Sequence, residues 1–123
     1  MFVHMFQIWD TDRMKKVLFH PKALEEFREL PKPIKLAFGE LLRILQDGIT
    51  LGMPASRPMP GVAPGVDELR AKDASGQYRA FYVRKFSAGI LVLRAFHKKT
   101  QETPMPEIKL ARKRLQELSD EIT

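Results

Sequence analysis

The alternation of apolar and polar positions divides the chain into helical and strand-like stretches. A β-favouring run over residues 15–19 stops at His20-Pro21, and a proline suits a first helical turn because its missing N–H would have no partner there. Leu24, Phe27 and Leu30 then form one stripe of a helix over residues 21–30. Pro31 and Pro33 interrupt it, and Ile34, Ala37, Phe38, Leu41, Leu42 and Leu45 recur at helical spacing over residues 33–46, which predicts an αα-hairpin ending at Asp47-Gly48. Residues 48–66 hold four glycines and four prolines and read as a long surface connection. Three strands come next, over residues 67–72, 77–86 and 90–97, joined by turn-like segments at 73–76 and 87–89 as an antiparallel meander. Thr103 as N-cap with Pro104 behind it opens a last helix, whose buried stripe is Ile108, Ala111, Leu115, Leu118 and Ile122. The order βααβββα predicts an α+β fold.

Length and composition narrow the class. A chain of 123 residues is one domain with one core. It has no cysteine and three histidines, so thiol nucleophiles and thiolate metal sites are excluded, and neither a metal nor a cofactor is expected. No segment reaches the roughly 18 apolar residues of a membrane span. The opening MFVHMFQIW is too short and lacks the flanks of a signal peptide, so a cytoplasmic protein without membrane contact is expected. Residues 1–13 fit poorly with the strand-like MKKVLFH that Met14 opens, itself a natural start, and are expected to be a peripheral extension, with the domain spanning 14–123.

Charge adds a direction. Lys and Arg total 21 against 15 acidic residues, a net +6 that favours polyanionic partners. Residues 67–99 carry eight basic and three acidic side chains, so most of the excess lies on the meander. Strand parity places Leu91, Leu93 and Ala95 on a core face, with Arg94 and Lys98 opposite beside Val92 and Phe96. On the first meander strand Leu69 and Ala71 oppose Glu68, Arg70 and Lys72. The middle strand is undecided: either Tyr78, Ala80 and Tyr82 or Arg79, Phe81 and Val83 could be core. A sheet face carrying Arg70, Lys72, Arg94 and Lys98, with or without Arg79, could hold a phosphate backbone; the plain alternative is a solvated outer face. Phe96 and the tyrosines read either as core or as base-stacking platforms, core being commoner. Glu68 reads as an ion-pair partner of Arg70 or Arg94.

The series GVDELRAKDASGQYRAFYV followed by ILVLRAFHKKTQETPMPEIKLARKRL, together with HPKALEEFRELPK and the glycine-proline loop, resembles the RelE/ParE toxin superfamily, nearest its phage-related HigB-like branch. The likeness extends from about Met14 to Leu118. It implies a RelE-like fold, with two N-terminal helices packed on a small twisted antiparallel sheet and a C-terminal helix. It also implies the toxin of a type II toxin–antitoxin pair, a metal-free endoribonuclease cutting mRNA at the ribosome, held inactive by a cognate antitoxin of helix-turn-helix type. By position, Arg70, Arg79, Lys98 and Lys99 match the family's cationic site. His97 stands where relatives vary, so the likeness assigns it no role.

The chemistry is coherent without the family. A 2′-hydroxyl can attack its own phosphate if the protein supplies a proton acceptor, charge for the pentacovalent state and a proton donor. Arg79 is expected to brace the phosphate with Arg70, while Lys72 or Lys98, lowered in pKa by clustered charge, would be the base. His97 is the alternative acid or base, though a lone histidine at a strand end is more often structural. Lys72, Arg94 and Lys99 are expected to bind RNA. Two rival functions remain: a ParE-like gyrase poison and a non-catalytic phage-derived nucleic-acid-binding module.

Overall fold

The computed structural model describes residues 6–7, 15–86 and 89–122. Its elements are β1 (Phe6–Gln7), β2 (Val17–Phe19), α1 (Pro21–Arg28), α2 (Lys32–Gln46), β3 (Ser56–Pro58), β4 (Val66–Asp73), β5 (Gly76–Phe86), β6 (Gly89–Lys98) and α3 (Met105–Ile122). They form a mixed α+β fold on one six-stranded sheet of order β1-β2-β6-β5-β4-β3. Of the expected extension, only Phe6 and Gln7 are described, paired antiparallel with Phe19 and Leu18; residues 1–5 and 8–14, including the expected start at Met14, lie outside the described residues, as does most of the 87–89 turn.

The meander β4-β5-β6 is antiparallel, as the turn signals predict. The sheet as a whole is mixed, because β2 runs parallel to β6, with Val17, Leu18 and Phe19 facing Ile90, Leu91 and Val92. The glycine-proline segment is not wholly loop: Ser56–Pro58 adds an edge strand to β4. Proline is tolerated at an edge because no neighbour needs its N–H there.

Each face of the sheet carries a core, and only part of the α3 side is left to solvent. On one side Leu24, Phe27, Ile34, Phe38, Leu42 and Leu45 of the helical hairpin pack on Phe19, Leu69, Tyr78, Ala80, Tyr82, Val92 and Ala95. On the other, Ala111 and Leu118 of α3, with Met59 and Val62, cover Phe81, Leu91, Leu93 and Phe96. The side chain of Ile122 lies outside the described residues. The undecided middle strand therefore buries both parities, Tyr78, Ala80 and Tyr82 under α1 and α2, and Arg79 and Phe81 on the side of α3.

Parity on β6 fails for a local reason. Phe81 faces Arg94 but Tyr82 faces Val92, so Leu93 is an extra residue and the alternation slips by one. Ala95 consequently joins Val92 under the helical hairpin, while Leu91 and Leu93 face α3. Arg94 and Lys98 share a side with Phe96 but not with Val92.

Candidate oxyanion site

The uncovered part of the α3 side lies beyond the end of that helix, toward the β4-β5 turn. Cross-strand pairing sets its rows: Arg57 opposite Glu68, Arg70 opposite Arg79, and Lys72 opposite Gln77, which in turn faces Lys98. Alternation along β4, β5 and β6 brings these side chains to one face. At the centre is Glu68, with no exposed surface. Its Oε1 accepts a hydrogen bond from Arg57 Nε at 3.1 Å and lies 3.5 Å from Arg79 Nε and 4.0 Å from Arg70 Nε. Thr103 donates its hydroxyl to Oε2 at 2.9 Å. A carboxylate shut off from solvent is tolerated only with charged and hydrogen-bonding partners of this kind.

The arginines differ in access. Arg79 is only 3% exposed, with Nη1 donating to the Tyr78 carbonyl and Nη2 to Gln77 Oε1. Arg70 and Arg57 are 25% and 39% exposed. Arg79, expected to brace a phosphate directly, thus lies beneath the surface, and Arg70 and Arg57 stand at it. Burial, partly offset by Glu68, and the neighbouring Arg70 and Arg57 lower the pKa of Arg79, which stays a cation at any biological pH. Lys98 donates to the Gln101 carbonyl at 2.7 Å, and its pKa is lowered by burial and by the charge of Arg79, against the pull of Glu68. Lys72 is exposed on the same face, and Lys99 is exposed just past the end of β6.

Two expected site residues are elsewhere. Arg94 is bound by carboxylates, at 2.6 Å to Glu26 Oε2 and 2.9 Å to Glu107 Oε1, and its guanidinium lies 5.6 Å from the centre of the Phe96 ring. Burial opposes its charge, but Glu107 and Glu26 outweigh that and raise its pKa. It is therefore a strut between α1, β6 and α3, and Glu68 pairs with Arg57, Arg79 and Arg70 rather than with Arg94. His97 shares the face of Ala95 and Tyr78, opposite to Arg79 and Lys98, and stacks on Tyr78 with ring centres 4.6 Å apart. Tyr78, Tyr82 and Phe96 are buried core residues, not open stacking platforms.

Sequence reasoning missed Arg57 and Thr103. Arg57 sits in the glycine-proline stretch, where strand parity cannot be read. Thr103 was legible as a helix cap, yet its hydroxyl is engaged by Glu68, and the first turn of α3 instead closes on the Pro104 carbonyl through the amides of Glu107 and Ile108.

Taken together the face holds five cations (Arg57, Arg70, Lys72, Arg79 and Lys98) around one carboxylate, an arrangement that can hold an oxyanion and stabilise added negative charge. Among the described residues no group of three or more His, Asp or Glu side chains is placed to hold a metal ion, and no helix is long and apolar enough to cross a membrane. No curated protein matches the chain. The model of the phage-derived Gp49-like proteins matches residues 25–116, from α1 through β6 and most of α3, so that the whole cationic face falls inside the match and the chain belongs to that family.

Proposed function

We propose that this chain is the toxin of a type II toxin–antitoxin pair, a RelE-like endoribonuclease that cuts mRNA on the ribosome without a metal. Membership of the Gp49-like family, which is counted in the RelE/HigB-like toxin superfamily, supports the toxin class. The observation that carries the reaction is the cluster of Arg57, Arg70, Arg79 and Lys98 around Glu68. Arg70 and Arg57, at the surface, bind the scissile phosphate, and Arg79 adds its charge from below. Lys98, lowered in pKa by burial and by Arg79, takes the 2′-hydroxyl proton; the 2′-oxygen bonds to phosphorus, the bond from phosphorus to the 5′-oxygen breaks to leave a 2′,3′-cyclic phosphate, and the departing 5′-oxygen takes a proton from solvent. The pentacovalent state carries one more negative charge than the phosphodiester, so fixed guanidinium groups favour it over the ground state. The cytoplasm, the ribosome and a helix-turn-helix antitoxin belong to this same reading.

The test is to add purified protein to translating ribosomes and map the new 5′ ends. Cuts at a fixed position within codons, lost with Arg70→Ala, are expected. Intact mRNA in the presence of folded protein would retire the endonuclease, and gyrase-dependent DNA breaks would put the ParE-like activity in its place.

A further inference from the structure

Three guanidinium groups converge on one carboxylate oxygen, and that oxygen cannot satisfy all of them. Only Arg57 Nε makes a hydrogen bond to Oε1; the Nε atoms of Arg70 and Arg79 are buried without a hydrogen-bond acceptor. Thr103 fixes the other oxygen, so the carboxylate cannot rotate away from its partners without losing that bond. The three arginines and one glutamate leave two positive charges uncompensated before Lys98 is counted. Each arginine faces Glu68 with Nε. A guanidinium has five N–H donors, so the Nη atoms keep donors beyond those used for Thr103, Met53, Tyr78 and Gln77.

We propose that Glu68 is a positioning residue for an oxyanion clamp whose exposed arms are Arg57 and Arg70: its buried carboxylate hydrogen-bonds Arg57 Nε and holds the Nε sides of Arg70 and Arg79 by ion pairing alone, and the Nη sides receive a phosphodiester. Glu68 has no exposed surface and cannot reach substrate, so it acts only through the arginines. It has two opposing effects. It subtracts one charge from the site and so weakens attraction to any polyanion, and it fixes the guanidinium planes, which is what charge stabilisation in a reaction requires. Arg57, delivered by the edge strand, is part of the clamp although it lies outside the meander. This inference rests on the oxyanion-binding reading of the same face.

The two effects separate in Glu68→Gln, which keeps the shape of the side chain and removes its charge. Binding is measured with a fluorescent single-stranded DNA oligonucleotide, which lacks the 2′-hydroxyl and is not cut. Glu68→Gln is expected to bind it about three- to tenfold more tightly at low salt, with the salt slope steeper by about 0.7 for one more counterion released. On ribosomes the same variant is expected to lose about tenfold or more in turnover. A merely structural glutamate would give weaker binding and slower cutting together, and unchanged or weaker binding by folded Glu68→Gln overturns the proposal. If the wild-type protein cuts nothing, the oligonucleotide still decides the part of Glu68, and the endonuclease reading falls alone. If Glu68→Gln does not fold, Arg57→Lys decides: it keeps the charge and loses the fork, so an unchanged salt slope with about three- to tenfold weaker binding is expected, and affinity equal to wild type overturns the clamp.

Discussion

Glu26 and Arg114, 88 residues apart, pair at 2.7 Å across the end of the sheet. Strand β2 accompanies β6 only as far as Val92, and beyond it no strand among the described residues pairs with β6 on that side. Arg114 Nη1 donates to the Leu93 carbonyl and Glu26 Oε1 accepts from the Ala95 amide. The ion pair thus serves these two backbone groups as a paired strand would. Arg94 joins it through Glu26 and Glu107, which ties α1, β6 and α3 into one unit.

That arrangement makes Arg114 a stability residue. Arg114→Met keeps the aliphatic stem but takes away the donor to the Leu93 carbonyl and one of the two guanidinium partners of Glu26, which keeps Arg94, and is expected to cost about 2 kcal/mol. Lys113→Met, exposed one position earlier on the same helix, is expected to stay within about 0.5 kcal/mol. Urea unfolding of the two variants checks the contrast.

His20 supplies a pH dependence. Its Nδ1 accepts from the Lys22 amide and caps α1, while Nε2 faces Glu117 at 3.7 Å. Burial, with Arg114 and Lys22 adding to it and Glu117 and Glu26 opposing, lowers its pKa below 6.5. The folded state therefore binds this proton less readily than the unfolded chain. Its contribution is complete above about pH 6.5 and is lost as pH falls from there through the lowered folded value. Protonation also puts a hydrogen on Nδ1, facing another donor. Urea unfolding at pH 7.5 and pH 5.5 is expected to show a loss for wild type and a smaller one for His20→Asn, which keeps a capping oxygen.

Within the candidate site, the surface position of a cation matters more than its charge alone. Arg70→Ala and Lys98→Ala are each expected to lower mRNA cleavage by roughly 10²-fold, as when one preorganised donor is lost. Lys109→Ala, exposed on α3, removes the same charge and is expected to change cleavage less than about threefold. His97→Ala is expected to leave cleavage near wild type because His97 lies on the other face of the sheet. Parallel cleavage assays on ribosomes decide each, and a His97→Ala loss as large as that of Arg70→Ala would place the reaction on the wrong side.

Gly89 is fixed by close approach. It has φ of +145° and opens β6 where the Ile90 amide donates to the Lys16 carbonyl at 2.8 Å, and a Cβ there would run into that same carbonyl. Gly89→Ala is expected to cost about 2 to 3 kcal/mol. Gly52→Ala, which points into open space, is expected to be nearly neutral. Thermal unfolding separates them.

The order of helices and meander strands was legible because each carries its own period, and the stripe Ile34, Phe38, Leu42, Leu45 is buried as that period requires. Arg70, Arg79 and Lys98 do meet on one face, since β4 and β5 pair in unbroken register from Val66 to Gly76. What parity could not reach were the places where period 2 breaks. The extra residue at Leu93 turned Arg94 into a strut and moved Ala95 to the other core. The edge strand at Arg57 is too short to show alternation, and the burial of Glu68 depends on three arginines from two other strands and its own. His97 beside Tyr78 comes from the same slip that moved Ala95.

Strand β3 ends the sheet after three residues, and the last of them is Pro58. A second copy, or any extended peptide, that tried to prolong the sheet on that side would find too little backbone to zip against and a ring where an amide should be. The sheet is therefore self-terminating along that border, and a strand-rich polypeptide accumulating in quantity is spared one route to stacking into fibres.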